Sequence, residues 1–168
     1  KNDIIELNIE KTSSDGRGIG YVDGKICFVH GCLENETVLA KIYTVHKSYM
    51  TAGVTEIITP SPYRMQDYCP HSELCGGCPL SHIKYDKQKE IKRQHVVDTL
   101  SRIGGIENAD SLTTDTIGME KPQAYRNKMV FPIGEKDGHV IGGFYASRSH
   151  DVVKLNSCCV GESCAVDI

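Results

Sequence analysis

The stretch GIGYVDGKICFVHG, residues 18 to 31, decides how the first part of the chain is read. Asp23-Gly24 stands at its centre, and Asp-Gly between apolar runs is a strong signal for a two-residue hairpin turn. On its N-terminal side, DIIELNIEK opens with Ile4 and Ile5 and then alternates through Leu7 and Ile9. That is the period of a strand with one buried face. On its C-terminal side, ETVLAKIYTVHKSYMTAGVTEII places apolar residues at Val38, Ala40, Ile42, Val54, Ile57 and Ile58. Turn signals recur every 8 to 14 residues, the rhythm of a small barrel or sandwich. Pro60 and Pro62 in TPSPYR end this run, since proline cannot donate to a sheet ladder. The expected division is a β domain over 1–60 and a second domain over 61–168.

The second domain reads differently. YDKQKEIKRQHVVDTLSRIGG carries Ile91, Val96, Val97, Leu100 and Ile103 at near-helical spacing, with Gly104-Gly105 as a stop. IENADSLTTDTIGMEKP is polar and reads as loop. AYRNKMVFPIGEKDGHVIGGFYA reads as a hairpin around Lys136-Asp137-Gly138, and HDVVKLN as one more strand.

Composition bounds the class. The chain has 168 residues, 39% hydrophobic and 24% charged, with a net charge of −3. These values describe a globular protein and not a disordered one. A net negative chain can hold nucleic acid only through local basic patches. No apolar run approaches the roughly 20 residues of a membrane span. KNDIIELNIEK has no hydrophobic segment of the secretory kind. The expectation is a cytoplasmic protein, and a monomer.

Eight cysteines are then the notable excess. Without secretion they stay reduced, and a tight cluster of thiols points to metal. CPHSELCGGCPL, residues 69 to 80, holds Cys69, Cys75 and Cys78 in a C-x5-C-x2-C pattern. A C-x2-C pair puts two sulfurs on one centre. Gly76 and Gly77 tolerate positive φ and let backbone N–H groups turn toward sulfur. Pro70 and Pro79 follow two of the cysteines and bend the chain away from them. A fourth thiolate must come from elsewhere, and Cys158 or Cys159 at a strand end are the candidates. Cys27 and Cys32 read as small apolar core residues, and Cys164 lies near the C-terminus. Zinc is the rival, with His71 and His82 able to complete a site. A single C-x2-C hook favours an iron–sulfur cluster.

The cysteine string, together with Tyr125-Arg126-Asn127-Lys128, resembles the bacterial 23S rRNA (uracil-5-)-methyltransferases of the RumA type. DGRGIGYVDGKICFVHGCLENETVLAKI resembles their TRAM domain, an OB-like RNA-binding barrel. SPYRMQDYCPHSELCGGCPL with the helix after it, YRNKMVFPIG and GFYASRSHDVVKLNSC resemble their cluster and central regions. The resemblance implies an α+β chain: an antiparallel β-barrel, a cysteine-rich segment, one helix and an antiparallel β region. It implies a [4Fe-4S] cluster on Cys69, Cys75, Cys78 and Cys158, with Cys159 one position away. It also implies S-adenosyl-L-methionine as the methyl donor of the parent enzyme, bound by a C-terminal Rossmann-like domain. That domain would carry the cysteine that attacks C6 of uracil before methyl transfer to C5. No glycine-rich strand-to-helix turn of that kind is seen here, so the chain reads as an N-terminal part, inactive alone, with no catalytic residue of its own.

RNA is the implied partner, as 23S rRNA in a single-stranded or looped form, with tRNA as the alternative. The candidate contacts are Arg17 and Lys25 beside the first hairpin, and Arg126, Asn127, Lys128 and Arg148 on the second. Tyr125, Phe131, Phe144 and Tyr145 interleave with the latter set, and arginine forks with aromatic faces suit splayed bases; Phe131 is expected in the hairpin core. The basic face of the helix, with Lys84, Lys87, Lys89, Lys92 and Arg93, is diluted by Asp86 and Glu90 and reads as solvated. DGRGIG does not fit G-x-G-x-x-G and precedes a hairpin, so dinucleotide binding is not expected. Two rivals remain. A radical-SAM methylthiotransferase also pairs a TRAM barrel with a cluster, but with C-x3-C-x2-C spacing. A free-standing zinc and RNA-binding module would show zinc without sulfide.

Overall fold

The computed structural model describes residues 2–66 and 69–161. Cys164 lies outside the described residues. Contacts divide the chain into two compact units, Lys1–Met65 with His82–Ile117, and Gln66–Ser81 with Gly118–Ile168. This division differs from a single boundary near residue 60. The backbone of Lys84 donates to the Tyr63 carbonyl at 2.9 Å, and that of Met65 to the His82 carbonyl at 3.0 Å. The cysteine segment therefore leaves and rejoins the first unit at neighbouring points, and the helix stays with the barrel.

In the first unit, β1 (Ile4–Ile9), β2 (Lys11–Thr12), β3 (Gly18–Val22), β4 (Lys25–His30), β5 (Glu36–Val45) and β6 (Tyr49–Thr59) form one sheet. Its order is β1-β5-β6-β4-β3-β2. β1 pairs with β5 at one edge, while β2 pairs with β3 at the other. Glu10 lies between β1 and β2 and donates its N–H to the Ile19 carbonyl at 2.9 Å. The run from 4 to 12 thus belongs to both edges and closes the sheet into a barrel. The approach is close, since a Cβ at Gly20 would lie 2.8 Å from the Asn8 carbonyl oxygen. One pair departs from an all-antiparallel barrel. β4 and β6 run parallel, from Ile26 opposite Tyr49 to His30 opposite Gly53. Two chain reversals and the whole of β5 separate them, which is the connection a parallel pair needs.

Alternation fills the interior. Leu7, Ile9, Cys27, Val29, Val38, Ala40, Ile42, Met50 and Ala52 are all buried together. Full burial of one Val, Leu or Ile contributes about 1.5–3 kcal/mol. Cys27 and Cys32 are fully buried, and burial pushes the Cys32 thiol up to about 12. The hairpin turn is as expected: Asp23 has φ 49° and Gly24 φ 76°, the two positive values of a type I′ turn.

A buried carboxylate locks the end of this barrel. Glu36 is 2% exposed. It accepts the N–H of Leu33 at 3.0 Å and of Ser61 at 3.2 Å. Arg64 donates Nε at 2.6 Å and Nη2 at 2.9 Å to its two oxygens. Burial pushes the Glu36 carboxyl up, but Arg64 and the two N–H groups outweigh it and leave it below its ordinary value.

Helix α1 (Tyr85–Arg102) follows. Only Ile91 and Val97 are buried, while Val96 and Ile103 face out, so its apolar stripe is narrow. Its basic face is largely spent on ion pairs, Lys87 with Glu34 and Glu90, and Lys89 with Asp86. The segment expected as loop contains a short helix, α2 (Ala109–Leu112). Arg93 holds its start and end, donating to the Asp110 side chain and to the carbonyls of Asp110 and Thr113 at 2.7–2.8 Å.

In the second unit, β7 (Ile133–Lys136), β8 (His139–Tyr145) and β9 (Val152–Lys154) form an antiparallel sheet in that order. Asp137 and Gly138 make its turn with φ 55° and 76°. The expected hairpin is shorter than the sequence implies, because residues 125–132 are not strand. Ala124 and Arg126 instead give their N–H groups to the carbonyls of Cys159 and Val160, at 3.0 and 2.8 Å. Among the described residues, no helix is long and apolar enough to cross a membrane.

Candidate functional site

The second unit gathers its described cysteines at one end of its sheet. The segment 69–81 is a series of turns: the N–H of Ser72 bonds to the Cys69 carbonyl, that of Cys75 to His71, and that of Ser81 to Cys78. It is laid along the end of β8 by the N–H of Gly76 to the Tyr145 carbonyl, 3.0 Å, and of Ser147 to the Leu74 carbonyl, 3.2 Å. Cys75 and Ala146 form an isolated antiparallel bridge there. The strand β9 leads the chain back, and the bonds from 124 and 126 hold residues 159 and 160 beside the same place.

The result is a small cleft of about 20 Å³ lined by Cys69, Cys75, Cys78, Cys158 and Cys159. All four expected ligands are brought together, with Cys159 as a fifth thiol. Gly76 and Gly77 are not in the positive-φ region, so the reason for glycine differs from the expected one. A Cβ at Gly76 would lie 3.2 Å from the Ser147 backbone. The N–H of Gly77 does turn to sulfur, donating to Cys75 Sγ at 3.4 Å.

Burial pushes the Cys75 and Cys78 thiols up, and their cysteine neighbours push the same way. Arg126 opposes both. It lines the cleft. A residue expected at RNA thus stands by the cysteines, where its cation offsets negative sulfur. Burial also raises the Cys159 thiol, with Cys69 next in effect. His71 lines the cleft as well. Its Nε2 is buried with no hydrogen-bond partner among the described residues. His82, the other histidine considered for zinc, belongs to the first unit.

The donor set fits a thiophilic group. Five soft sulfurs line one cleft, a backbone N–H points at one of them, and a cation stands beside them. Among the described residues, no three His, Cys, Asp or Glu side chains are gathered as ligands of a single metal ion. The thiols line a cleft instead of meeting at a point.

The remaining candidates are dispersed. Arg17 donates Nε to Asp15 at 2.8 Å and lies 4.7 Å over the Phe28 ring. Lys25 is exposed at the start of β4. Asn127 and Lys128 are exposed beyond Arg126. Arg148 is exposed in the turn after β8, with φ 59°. Tyr125 and Tyr145 are each 46% exposed. Phe131 is half-buried and packs on Phe144 at 5.1 Å. Two features went unread in the sequence: the Glu36–Arg64 lock, and an aromatic group on the outer barrel face around Phe28 and Tyr49. The second left a trace in the alternation of Ile26, Phe28 and His30 against buried Cys27 and Val29.

Comparison with known proteins finds relatives over nearly the whole chain. Residues 1–55 match the TRAM domain. The chain is 41% identical over 160 residues, 95% of its length, to an uncharacterized RNA methyltransferase of Halalkalibacterium halodurans. It is 38% identical over all 168 residues to another of Clostridium acetobutylicum. It covers 34% and 36% of those proteins, so it spans about a third of the length of the relatives it matches. The fold is also that of part of the Pyrococcus abyssi tRNA (uracil-54, C5)-methyltransferase, solved with S-adenosyl-L-homocysteine. The TM-score is 0.60 at 20% identity, over 95% of this chain and 34% of that one. The chain carries a TRAM domain and, over about a third of their length, is homologous to a group of bacterial proteins named RNA methyltransferases.

Proposed function

We propose that this chain is the RNA-holding and cluster-holding part of an S-adenosylmethionine-dependent RNA (uracil-5-)-methyltransferase acting on 23S rRNA. The observation that carries the reading is identity of about two residues in five, over nearly the whole chain, to proteins named RNA methyltransferases. The methyl donor and the methylated uridine belong to the whole enzyme. The 168 residues by themselves are expected neither to bind the donor nor to methylate RNA.

In this reading Cys69, Cys75, Cys78 and Cys158 hold a [4Fe-4S] cluster. Thiols placed around a cleft suit a polynuclear group better than one ion. When bound, such a cluster supplies a four-armed cross-link, with electron transfer as its other chemistry. The protein's own contribution is clear in outline. Gly77 N–H and the Arg126 cation stabilise negative sulfur, and the turns of 69–81 set three thiols at fixed spacing on the end of β8. Asn127, Lys128 and Arg148 then present polar and cationic groups on the same unit, as contacts for phosphate and base edges.

Anaerobic purification tests the cluster directly. The expected product is brown, with about four irons and matching sulfide per chain. Cys158→Ser should lose it and Cys159→Ser keep it. One zinc per chain without sulfide would replace this reading by that of a zinc and RNA-binding module. Calorimetry with S-adenosylmethionine should show no binding, and micromolar binding would restore the radical-SAM alternative.

A further inference from the structure

The outer face of the barrel carries an aromatic strip that the cysteine site does not use. Along β3, β4 and β6 the residues alternate: Gly20, Cys27, Val29, Met50 and Ala52 point in and are buried. Their neighbours point out. Tyr21 stands opposite Ile26, and Ile26 opposite Tyr49, so the three make one row across three strands. They are 49%, 37% and 37% exposed. Phe28 continues the patch in the next row, edge-on to Tyr49 with ring centres 6.0 Å apart. His46 stacks on Tyr49 at 4.4 Å, and the Arg17 guanidinium covers Phe28 at 4.7 Å.

Outward positions of a small barrel are usually polar. Here they are apolar and mostly aromatic, and the one guanidinium among them is tied to Asp15 by Nε at 2.8 Å and Nη2 at 2.6 Å. That pairing holds Arg17 over the Phe28 ring and offsets its charge. A nearly uncharged apolar row with a tyrosine at each end has little use for phosphate, but every base has a π-face to lay on an exposed ring. A base stacked on such a ring adds affinity and is tolerant of sequence.

We propose that the row Tyr21–Ile26–Tyr49, flanked by Phe28 with Arg17 and by His46, is a stacking platform for unpaired RNA bases. The proposal rests on the RNA-holding role given above and says how this face of the barrel performs it. It assigns Arg17 to stacking instead of phosphate. Lys25, exposed at the head of β4, is then the phosphate contact of this face. Binding here should be driven by stacking, with a log–log salt slope near −0.7, that of about one contact on a single strand.

The test is a titration of the full chain with single-stranded oligoadenosine, oligouridine and a duplex. The chain has eight tyrosines and no tryptophan, so its own emission reports contact with tyrosine. Expected are quenching by single strands, oligoadenosine binding more tightly than oligouridine, and little binding of duplex. Tyr49→Ala should weaken single-strand binding about tenfold, as loss of one stacked base does, at unchanged salt slope. Tyr49→Phe should restore it. Tyr21→Ala, at a more exposed position, should act in the same direction if Tyr49→Ala fails to fold by circular dichroism. Single-strand binding that survives both alanine variants would overturn the platform and leave the RNA role standing elsewhere in the chain. A wild-type chain that binds no RNA at low salt would overturn the RNA role and the platform together. Self-association in sedimentation, lost in Tyr49→Ala without any effect on RNA, would make the strip an interface between copies and also overturn the proposal.

Discussion

In the barrel unit Cys27, Val29, Val38, Ala40 and Ala52 are completely buried, and Leu7, Ile9 and Ile42 nearly so. In the cysteine unit the buried apolar side chains among the described residues are Ile141 and Val160, at 7% and 5%. Leu74, Val130, Ile133 and Val140 there are 64–79% exposed. The contrast shows two ways to order a chain. Fixing one residue costs roughly 1–2 kcal/mol in backbone entropy alone. The barrel offsets that cost with a shared interior. The three-stranded unit has too little interior to do so, and small units of that kind need a staple such as a metal group or disulfides. Its cysteines occupy the place where such a staple would act.

Removing one thiol is the strongest way to break this comparison. Cys75→Ser is expected to abolish metal binding and the cooperative order of the second unit while sparing the first. Hydrogen exchange should show lost protection in 69–81 and 139–154, with 4–9 and 25–30 still protected. Equal loss in both units, or in neither, would end the idea of two routes to stability.

The barrel's own weak point is its lock. Arg64→Ala leaves the Glu36 carboxylate buried without its cation, a change that typically costs about 3–5 kcal/mol. Urea unfolding of the first unit should report it. The pH dependence has a definite sign. Glu36 lies below its ordinary value of 4.5 in the folded chain. Its contribution is therefore full above that value and is lost as pH falls through the folded one. Arg64→Ala should flatten this acid limb.

Core truncation sharpens the contrast at a smaller scale. Ile9→Ala in the barrel is expected to cost about 2–4 kcal/mol, in the usual range for a packed interior. Ile141→Ala is expected to cost about 1 kcal/mol, because fewer neighbours are left around the cavity. Equal values would mean that the second unit is packed as well as the first. The smallest effect should be common to both units. Gly24→Ala and Gly138→Ala each force a side chain into the left-handed region at φ 76°, at about 1 kcal/mol or a little more. Two hairpins with the same turn chemistry should respond alike in local hydrogen exchange, whatever holds the rest of each unit.

By itself the sequence determined what neighbouring residues decide. Alternation marks β1 and β5, Asp23-Gly24 and Asp137-Gly138 mark two turns, and the spacing of Ile91 and Val97 marks α1. The string Cys69-x5-Cys75-x2-Cys78 marks a thiol site in the same way, since a turn of a few residues sets those sulfurs together. Cys158 and Cys159 were candidates by their place at a strand end, and resemblance to a family favoured Cys158. The tertiary structure decided what distant segments do to each other. β4 and β6 run parallel because two reversals intervene. Arg126 stands at the cysteines because residues 124–126 bond to 159–160 and not to a strand partner. Arg64 finds Glu36 across 28 positions. Tyr21, Ile26 and Tyr49 become one row only when the registers of three strands are set. Propensity and turn chemistry act over a few residues, whereas register and the pairing of buried charge are settled by the whole chain closing on itself.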